Sequence, residues 1–173
     1  MKALMRILAG IAGVVVFVYI VGMLIPQEHV ATRTATYEHP PAAVWQLLAD
    51  FPGYAKWAPE VKGVKRLPDM NGHAVWALEG DWGMPLEVES FEPPRRMVTR
   101  IADPKLPFGG TWTWELAAAG AGTRITVTEN GFIKSPLFRV MTRFIFGYHS
   151  TMDTYLKAIG KHFGENITPG PAS

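Results

Sequence analysis

Tyr37-Glu38-His39-Pro40-Pro41-Ala42-Ala43-Val44-Trp45-Gln46-Leu47-Leu48-Ala49-Asp50-Phe51-Pro52-Gly53-Tyr54-Ala55-Lys56-Trp57-Ala58-Pro59 is the stretch on which the fold turns. Pro40-Pro41 opens a helix, since proline's fixed φ suits the first helical position and its missing N–H is not needed there. Val44, Leu47 and Leu48 follow on one face. Phe51-Pro52-Gly53 stops that helix after Ala49, and Tyr54 to Pro59 reads as a second short helix carrying Trp57. Upstream, Thr32 to Glu38 alternates as a first strand. Downstream, from Val61 to Phe132, the chain divides into strands at Gly, Pro and Asn/Asp turns. Ser135-Pro136 then starts a long helix, with Ser135 as N-cap, running to about Phe163. Its apolar residues Leu137, Met141, Phe144, Tyr148, Met152, Tyr155, Ile159 and Phe163 keep the spacing of a helix lying on a surface.

The strands can be registered by requiring apolar residues to share a face. Turns near Asp81, Pro93-Pro94, Lys105–Phe108 and Ala119-Gly120 put Trp76, Leu86, Ile101, Trp112 and Val127 in one row. The next row in one direction holds Ala74, Val88, Thr99, Trp114 and Ile125. On the other face Glu87 falls across from Arg100 and Glu115 across from Arg124, which reads as a solvated ladder of opposite charges. In the other direction the apolar face ends in Leu78, Met84, Asp103, Gly110 and Glu129, beside the loop 104–110.

Upstream of all this, Ile7 to Ile25 carries no charge. As a helix it spans roughly 28 Å, close to the hydrocarbon thickness of a bilayer. It is longer than the apolar core of a signal peptide, and Val21-Gly22-Met23-Leu24-Ile25-Pro26 offers no small-x-small cleavage site. Lys2 and Arg6 precede it and the next basic residue is Arg33, so the expected topology is a single-pass cell-membrane protein. The N-terminus is expected in the cytoplasm and the domain on the extracytoplasmic side. The predicted organisation is a cytoplasmic N-terminus (1–6), a transmembrane helix (7–25), a linker (26–30), a folded domain (31–163) and a flexible tail (164–173).

The chain has 17 Lys and Arg against 15 Asp and Glu, and Lys2 and Arg6 lie outside the domain. The domain is therefore close to neutral, which argues against a nucleic-acid partner. Without Cys there are no disulfides, Cys-based metal sites or Cys nucleophiles. His29, His39, His73, His149 and His162 show no metal-ligand spacing, and no phosphate loop or G-x-S-x-G occurs. No catalytic motif, metal site or cofactor is expected.

The Tyr37–Pro59 stretch resembles the start of the polyketide cyclase/dehydrase-like branch of the START-related (SRPBCC) superfamily, in which a strand leads into P-x-x-V-W-x-[LV]-[LI]-x-D-[FP] and then a Trp followed by Pro. Phe91-Glu92-Pro93-Pro94-Arg95 looks like the loop between the middle strands of such domains. The resemblance covers about residues 30–163 and leaves the anchor outside. It implies an α+β helix-grip fold, with a curved antiparallel sheet of about seven strands around a long C-terminal helix and two short helices after strand one. It also implies an internal cavity for apolar molecules.

Trp76, Leu86, Ile101, Trp112, Trp114, Met141, Phe144, Tyr148 and Met152 would line that cavity, with Asp103, Phe108 and Glu129 at its mouth. Aromatic walls and adaptable Met suit a lipid, isoprenoid or polyketide-like ligand. The expected function is membrane-anchored binding or transport of such a molecule. A cyclase- or dehydratase-like enzyme using Glu129 or Asp103 with Tyr148 is one alternative. The other is a structural module with a filled core, whose Leu106–Phe108 tip docks on an envelope protein. The closed end, with Lys157 and Lys161, is expected near the membrane and the mouth is expected to point away from it.

Overall fold

The computed structural model describes residues 2–80 and 83–172. The elements in chain order are α1 (Lys2–Leu24), β1 (Glu28–Tyr37), α2 (Pro41–Ala49), a 3-10 turn (Phe51–Lys56), β2 (Val61–Met70), β3 (His73–Gly80), β4 (Met84–Glu92), β5 (Arg96–Ile101), β6 (Phe108–Ala119), β7 (Gly122–Ile133), α3 (Pro136–Met141), a π turn (Thr142–Phe146), α4 (Ser150–His162) and β8 (Gly170–Pro171). The strands form one antiparallel sheet in the order β2-β3-β4-β5-β6-β7-β1-β8. This is the helix-grip arrangement: α4 lies on one face, over a core that includes Ala31, Ala35, Trp114, Ile125 and Val127 from the sheet and Met152, Leu156 and Ile159 from the helix.

α2 starts at Pro41 and ends at Ala49, burying Val44, Trp45 and Leu48. The second short helix comes earlier than expected, because the Asp50 side chain accepts from the Gly53 N–H (3.2 Å) and nucleates the turn at Phe51. Two side chains tie α4 to β1. The Tyr37 hydroxyl donates to the Leu156 carbonyl (2.8 Å), and Arg33 grips the Asp153 carboxylate through Nε and Nη2 (2.6 and 3.1 Å). Residues 164–171 are likewise held to the domain. Glu165 accepts from the Glu38 N–H and pairs with His39, Arg33 donates to the Pro169 carbonyl, and Gly170–Pro171 pairs with β1.

Trp76 pairs with Leu86 and Leu86 with Ile101, as the apolar pattern predicts; the turn near Asp81 lies outside the described residues. β6 is displaced by two residues from the expected register on both sides. Trp112 faces Thr99 and Glu129, not Ile101 and Val127, while Trp114 faces Met97 and Val127. On the β5 side the connecting loop is centred one residue earlier than predicted, at Lys105-Leu106; on the β7 side the cause is the hairpin between β6 and β7. Its loop residues are Gly120 and Ala121, with Gly120 at φ 61°, one position later than predicted. Moving a turn centre by one residue moves every pair by two, so the faces are preserved and the rows are not. Glu129 thereby sits one row deeper, beside Trp112. Glu115 faces Thr126 and Arg96, so the expected Glu115–Arg124 pair does not form.

Two larger expectations are corrected. The C-terminal helix is not continuous. α3 passes into the π turn, Gly147 reverses the chain at φ 76°, and α4 starts only at Ser150. The end of the domain bearing the loop 104–108 does not lie away from the apolar helix. Glu28 faces Phe132, Phe108 faces Ile133, and the Ile133 N–H donates to the Gln27 carbonyl, so the loop, the start of β1 and the exit of β7 share one end of the sheet.

Candidate functional site

Along β1 the residues 29, 31, 33, 35 and 37 share the α4-facing side, and along β7 residues 125, 127 and 129 do. Near the α1 end this face changes from apolar to polar. His29 Nε2 lies 3.2 Å from Glu129 Oε1, and Tyr148, the first side chain after Gly147, stacks on the imidazole at 4.3 Å and 25°. The His29 side chain is 10% exposed and that of Glu129 23%. Space for the ring comes from Gly131, the cross-strand partner of His29. A Cβ there would lie 2.6 Å from His29 Cε1, 2.7 Å from Nε2 and 2.8 Å from Glu129 Oε1. With Glu129 ionised, Nε2 carries the proton of a neutral ring, and Nδ1 presents a lone pair. That buried Nδ1 has no protein partner. The cluster can therefore accept a hydrogen bond from a ligand hydroxyl, or take up a proton and share its charge with the carboxylate.

Behind the cluster lies a wall of rings. Trp112 meets Trp114 at 5.6 Å and Tyr155 at 5.5 Å, Trp57 meets Tyr155 edge-on at 6.2 Å, and Trp76 stacks flat on Phe51 at 5.6 Å. The Trp57 Nε1 donor is buried without a partner. Burial, and after it the negative charge of Glu60, pushes the Tyr155 phenol up to about 12. These side chains occupy the layer between α4 and the sheet. Two open grooves of about 720 and 870 Å3 lie at the opposite end, around Lys157, Lys161 and residues 164–168 and around Thr36–Glu38 and Ala119–Gly122; neither includes a residue expected to line the cavity.

Trp76, Leu86, Ile101, Trp112 and Trp114 share the inner face, Tyr148 closes its polar end, and Met152 is fully buried on the sheet-facing side of α4. Met141 and Phe144 do not join them. Both precede the Gly147 break: Met141 ends α3, which packs against α1, and Phe144 is exposed in the π turn beyond it. Asp103 is a turn residue, its carboxylate accepting from the Lys105 N–H at 2.9 Å. Phe108 opens β6 opposite Ile133, and the Lys134 N–H donates to the Pro107 carbonyl, so the Leu106–Phe108 tip is fastened down rather than projecting.

His29 is the residue that sequence reasoning placed in a linker. Its signal was the alternation Ala31, Arg33, Ala35, Tyr37, which continues back to position 29. On the outer face, Glu87 is 1% exposed, covered by its own partners and not by the core: Asn71 at 3.3 Å, His73 at 2.8 Å, and Arg100, which also reaches Glu89. Burial raises the Glu87 pKa, but the His73, Asn71 and Arg100 contacts outweigh it and hold the carboxyl below its ordinary range. Glu87 is thus the centre of a polar network and not half of a solvated pair. Among the described residues no group of three or more His, Asp or Glu is placed to hold a metal ion.

The family model described as polyketide cyclase/dehydrase and lipid transport matches residues 28–147. A comparison with curated proteins finds no match. Among solved structures, the Zhui aromatase/cyclase from Streptomyces sp. R1128 is 19% identical with a TM-score of 0.60, over 78% of this chain and 93% of that one. A START superfamily protein from Mycobacterium smegmatis is 16% identical with a TM-score of 0.60, over 78% and 96%. The protein XoxI from Bacillus cereus is 17% identical with a TM-score of 0.60, over 78% and 94%.

Proposed function

The chain belongs to the polyketide cyclase/dehydrase and lipid transport family, and from that premise we propose that it binds a hydrophobic small molecule of lipid, isoprenoid or polyketide type between α4 and the sheet. The ligand's polar end sits at His29 and Glu129. The observation that carries this reading is the pairing of an aromatic inner face with one buried polar cluster, whose His29 Nδ1 lacks a protein partner. Such a surface suits an amphipathic guest, with rings for the apolar body and one acceptor for its hydroxyl. Binding then requires the Trp112–Tyr155 rings to part. Native mass spectrometry of the full chain tests it. A stoichiometric apolar adduct is expected on the wild type and not on Trp112→Arg. A bare wild-type chain that also fails to bind added long-chain alcohols would overturn it.

α1 supports a membrane anchor: it is 23 residues long, its most apolar 18-residue window has a mean hydropathy of 2.7, and nearly all of it is exposed. In this reading it crosses the cell membrane once, with Lys2 and Arg6 cytoplasmic and the domain on the extracytoplasmic side. A membrane-impermeant thiol reagent should label Lys157→Cys in intact cells; labelling only after lysis would reverse the orientation.

A second reading is favoured by the His29–Glu129 contact itself. A carboxylate-supported imidazole against an apolar wall is suited to general-base removal of a proton, as a cyclase or dehydratase step needs. Glu129→Gln should then abolish turnover and keep the adduct, whereas under the binding reading it changes only affinity.

A further inference from the structure

Between Ile133 and Ser150 the chain leaves the sheet and exposes apolar residues. Leu137, Phe144, Ile145 and Phe146 are 50%, 67%, 69% and 53% exposed. Phe144 to Phe146 are consecutive in the π turn, so a single turn of backbone presents three large exposed apolar side chains.

The position of this segment relative to α1 says what covers it. Within the described part of α1 only Val18, Val21 and Gly22 lose substantial exposure, and Ile25 just beyond continues the same face. α3 is the element packed there. A Cβ on Gly22 would collide with the Pro136 carbonyl, and Arg139, itself buried, donates to the Ile25 carbonyl just past the C-terminal end of α1. From Val18 to Ile25 a helix rises about 10 Å. α3 therefore runs beside the last two turns of α1, not beyond its end. If α1 spans a bilayer of about 30 Å, those turns lie in its outer half.

Resting on the anchoring reading above, we propose that residues 136–146 form a wedge seated in the outer leaflet of the bilayer that α1 crosses. Phe144, Ile145 and Phe146 lie among the acyl chains, and the exposed Arg143 lies at the headgroups. The backbone of the segment is helical, so its polar groups are satisfied internally, as an element in that layer requires. Gly147 then turns the chain out of the lipid, and the next residue, Tyr148, lies on His29. The wedge ends at the polar cluster, and the inner face exchanges its guest with that leaflet and not with bulk water.

The chain has no Cys, so single spin labels can be placed without background. Full-length Val16→Cys, Ile145→Cys and Lys157→Cys are labelled in phosphatidylcholine vesicles and probed with oxygen, which partitions into lipid, and a nickel chelate, which stays in water. All three side chains are exposed, so folding is not at risk. The expected result is oxygen relaxation and loss of nickel broadening at Val16 and Ile145, with the reverse at Lys157. Nickel access at Ile145 equal to that at Lys157, with Val16 still shielded, would overturn the wedge and leave the anchor. Nickel access at Val16 removes the anchor and the wedge together. Spin–spin broadening at Ile145 that vanishes on dilution with unlabelled protein identifies a second copy as the cover and overturns the lipid assignment.

Discussion

Gly131→Ala isolates the polar cluster from the rest of the fold. Gly131 is not in the left-handed region, so alanine is tolerated by the backbone there. The three atoms nearest the new Cβ are all side chain: His29 Cε1 and Nε2 at 2.6 and 2.7 Å and Glu129 Oε1 at 2.8 Å. The imidazole must swing away, losing its contact with Glu129 and its stack on Tyr148. A hydrogen bond to a charged group is worth about 1.5–3 kcal/mol, and an aromatic stack about 0.5–1.5 kcal/mol. Against this, replacing Gly by Ala at a compatible position returns about 0.4–1 kcal/mol through the unfolded chain. The partial exposure of Glu129 favours the lower part of the range, a net loss of about 1–3 kcal/mol. Urea unfolding of the full chain in detergent, followed by tryptophan fluorescence, measures it in four proteins: wild type, Gly131→Ala, His29→Ala and the double variant. With the ring gone, only the flexible end of Glu129 has to move, so Gly131→Ala should lose most of its cost and, as that carboxylate swings clear, stabilise by up to about 1 kcal/mol. An equal loss in both backgrounds would show that Gly131 serves the strand and not the imidazole, and the account of the cluster would fail.

Three further expectations follow from the same geometry. Glu87 has its pKa depressed in the folded state, so the stability it contributes is full above its ordinary value of 4.5 and is lost as pH falls through the lower folded value. Glu87→Gln should cost about 1 kcal/mol at pH 7 and flatten the acid limb of a stability–pH curve; an unchanged acid limb would refute the network. Tyr155 is raised to about 12, chiefly by burial, so the fold favours its neutral form, and that contribution is lost as pH rises from 10 through 12. Tyr155→Phe should move alkaline unfolding, followed by circular dichroism and tyrosinate absorbance, to higher pH. Gly22→Val should force α3 off α1, because the obstacle is the Pro136 backbone, at about 1–3 kcal/mol as in other overpacked sites. Gly13→Val meets nothing within 4 Å and is the neutral control, with protease cutting near Phe144–Phe146 as the readout.

The alternation and the Pro40-Pro41 helix start carried the fold because they are local and redundant. Several strands had to agree on one apolar face, and they did. The row occupied by Glu129 was not legible in the same way. It depended on whether the β6–β7 turn was centred on Ala119-Gly120 or Gly120-Ala121, and both keep every face correct. The helix break was hidden by its own periodicity. Phe144 and Tyr148 are four apart, so the stripe reads through Gly147 although the two residues point to different surroundings. Position 147 carried the only local cue, a glycine between two aromatics. The cover over Glu87 comes from His73 and Asn71 at the β2–β3 turn, and face alternation cannot report what closes over a carboxylate.

The placement of the apolar helix beside the polar cluster follows from connectivity alone. β1 is antiparallel to β7, so the residue that starts β1 must lie beside the residue that ends β7, and Glu28 does face Phe132. Whatever precedes β1 and whatever follows β7 are then neighbours, and α1 and α3 are those two segments. β6, antiparallel to β7, starts at that end as well, bringing the loop 104–108 with it. In a sheet of this order the short leash of residues 25–27 cannot tether the domain by its far end, where Tyr37, Gly122 and Lys161 sit. An anchor in α1 therefore acts on the end that holds His29, Glu129 and Tyr148. The Gly147 reversal is what keeps the arrangement consistent. Had the C-terminal helix run unbroken from Ser135 to Phe163, Phe144 would lie over the sheet with Met152, and no apolar surface would accompany α1. Breaking the helix gives the two halves separate partners, α1 for the first and the sheet for the second, and leaves Tyr148 at the junction where they meet.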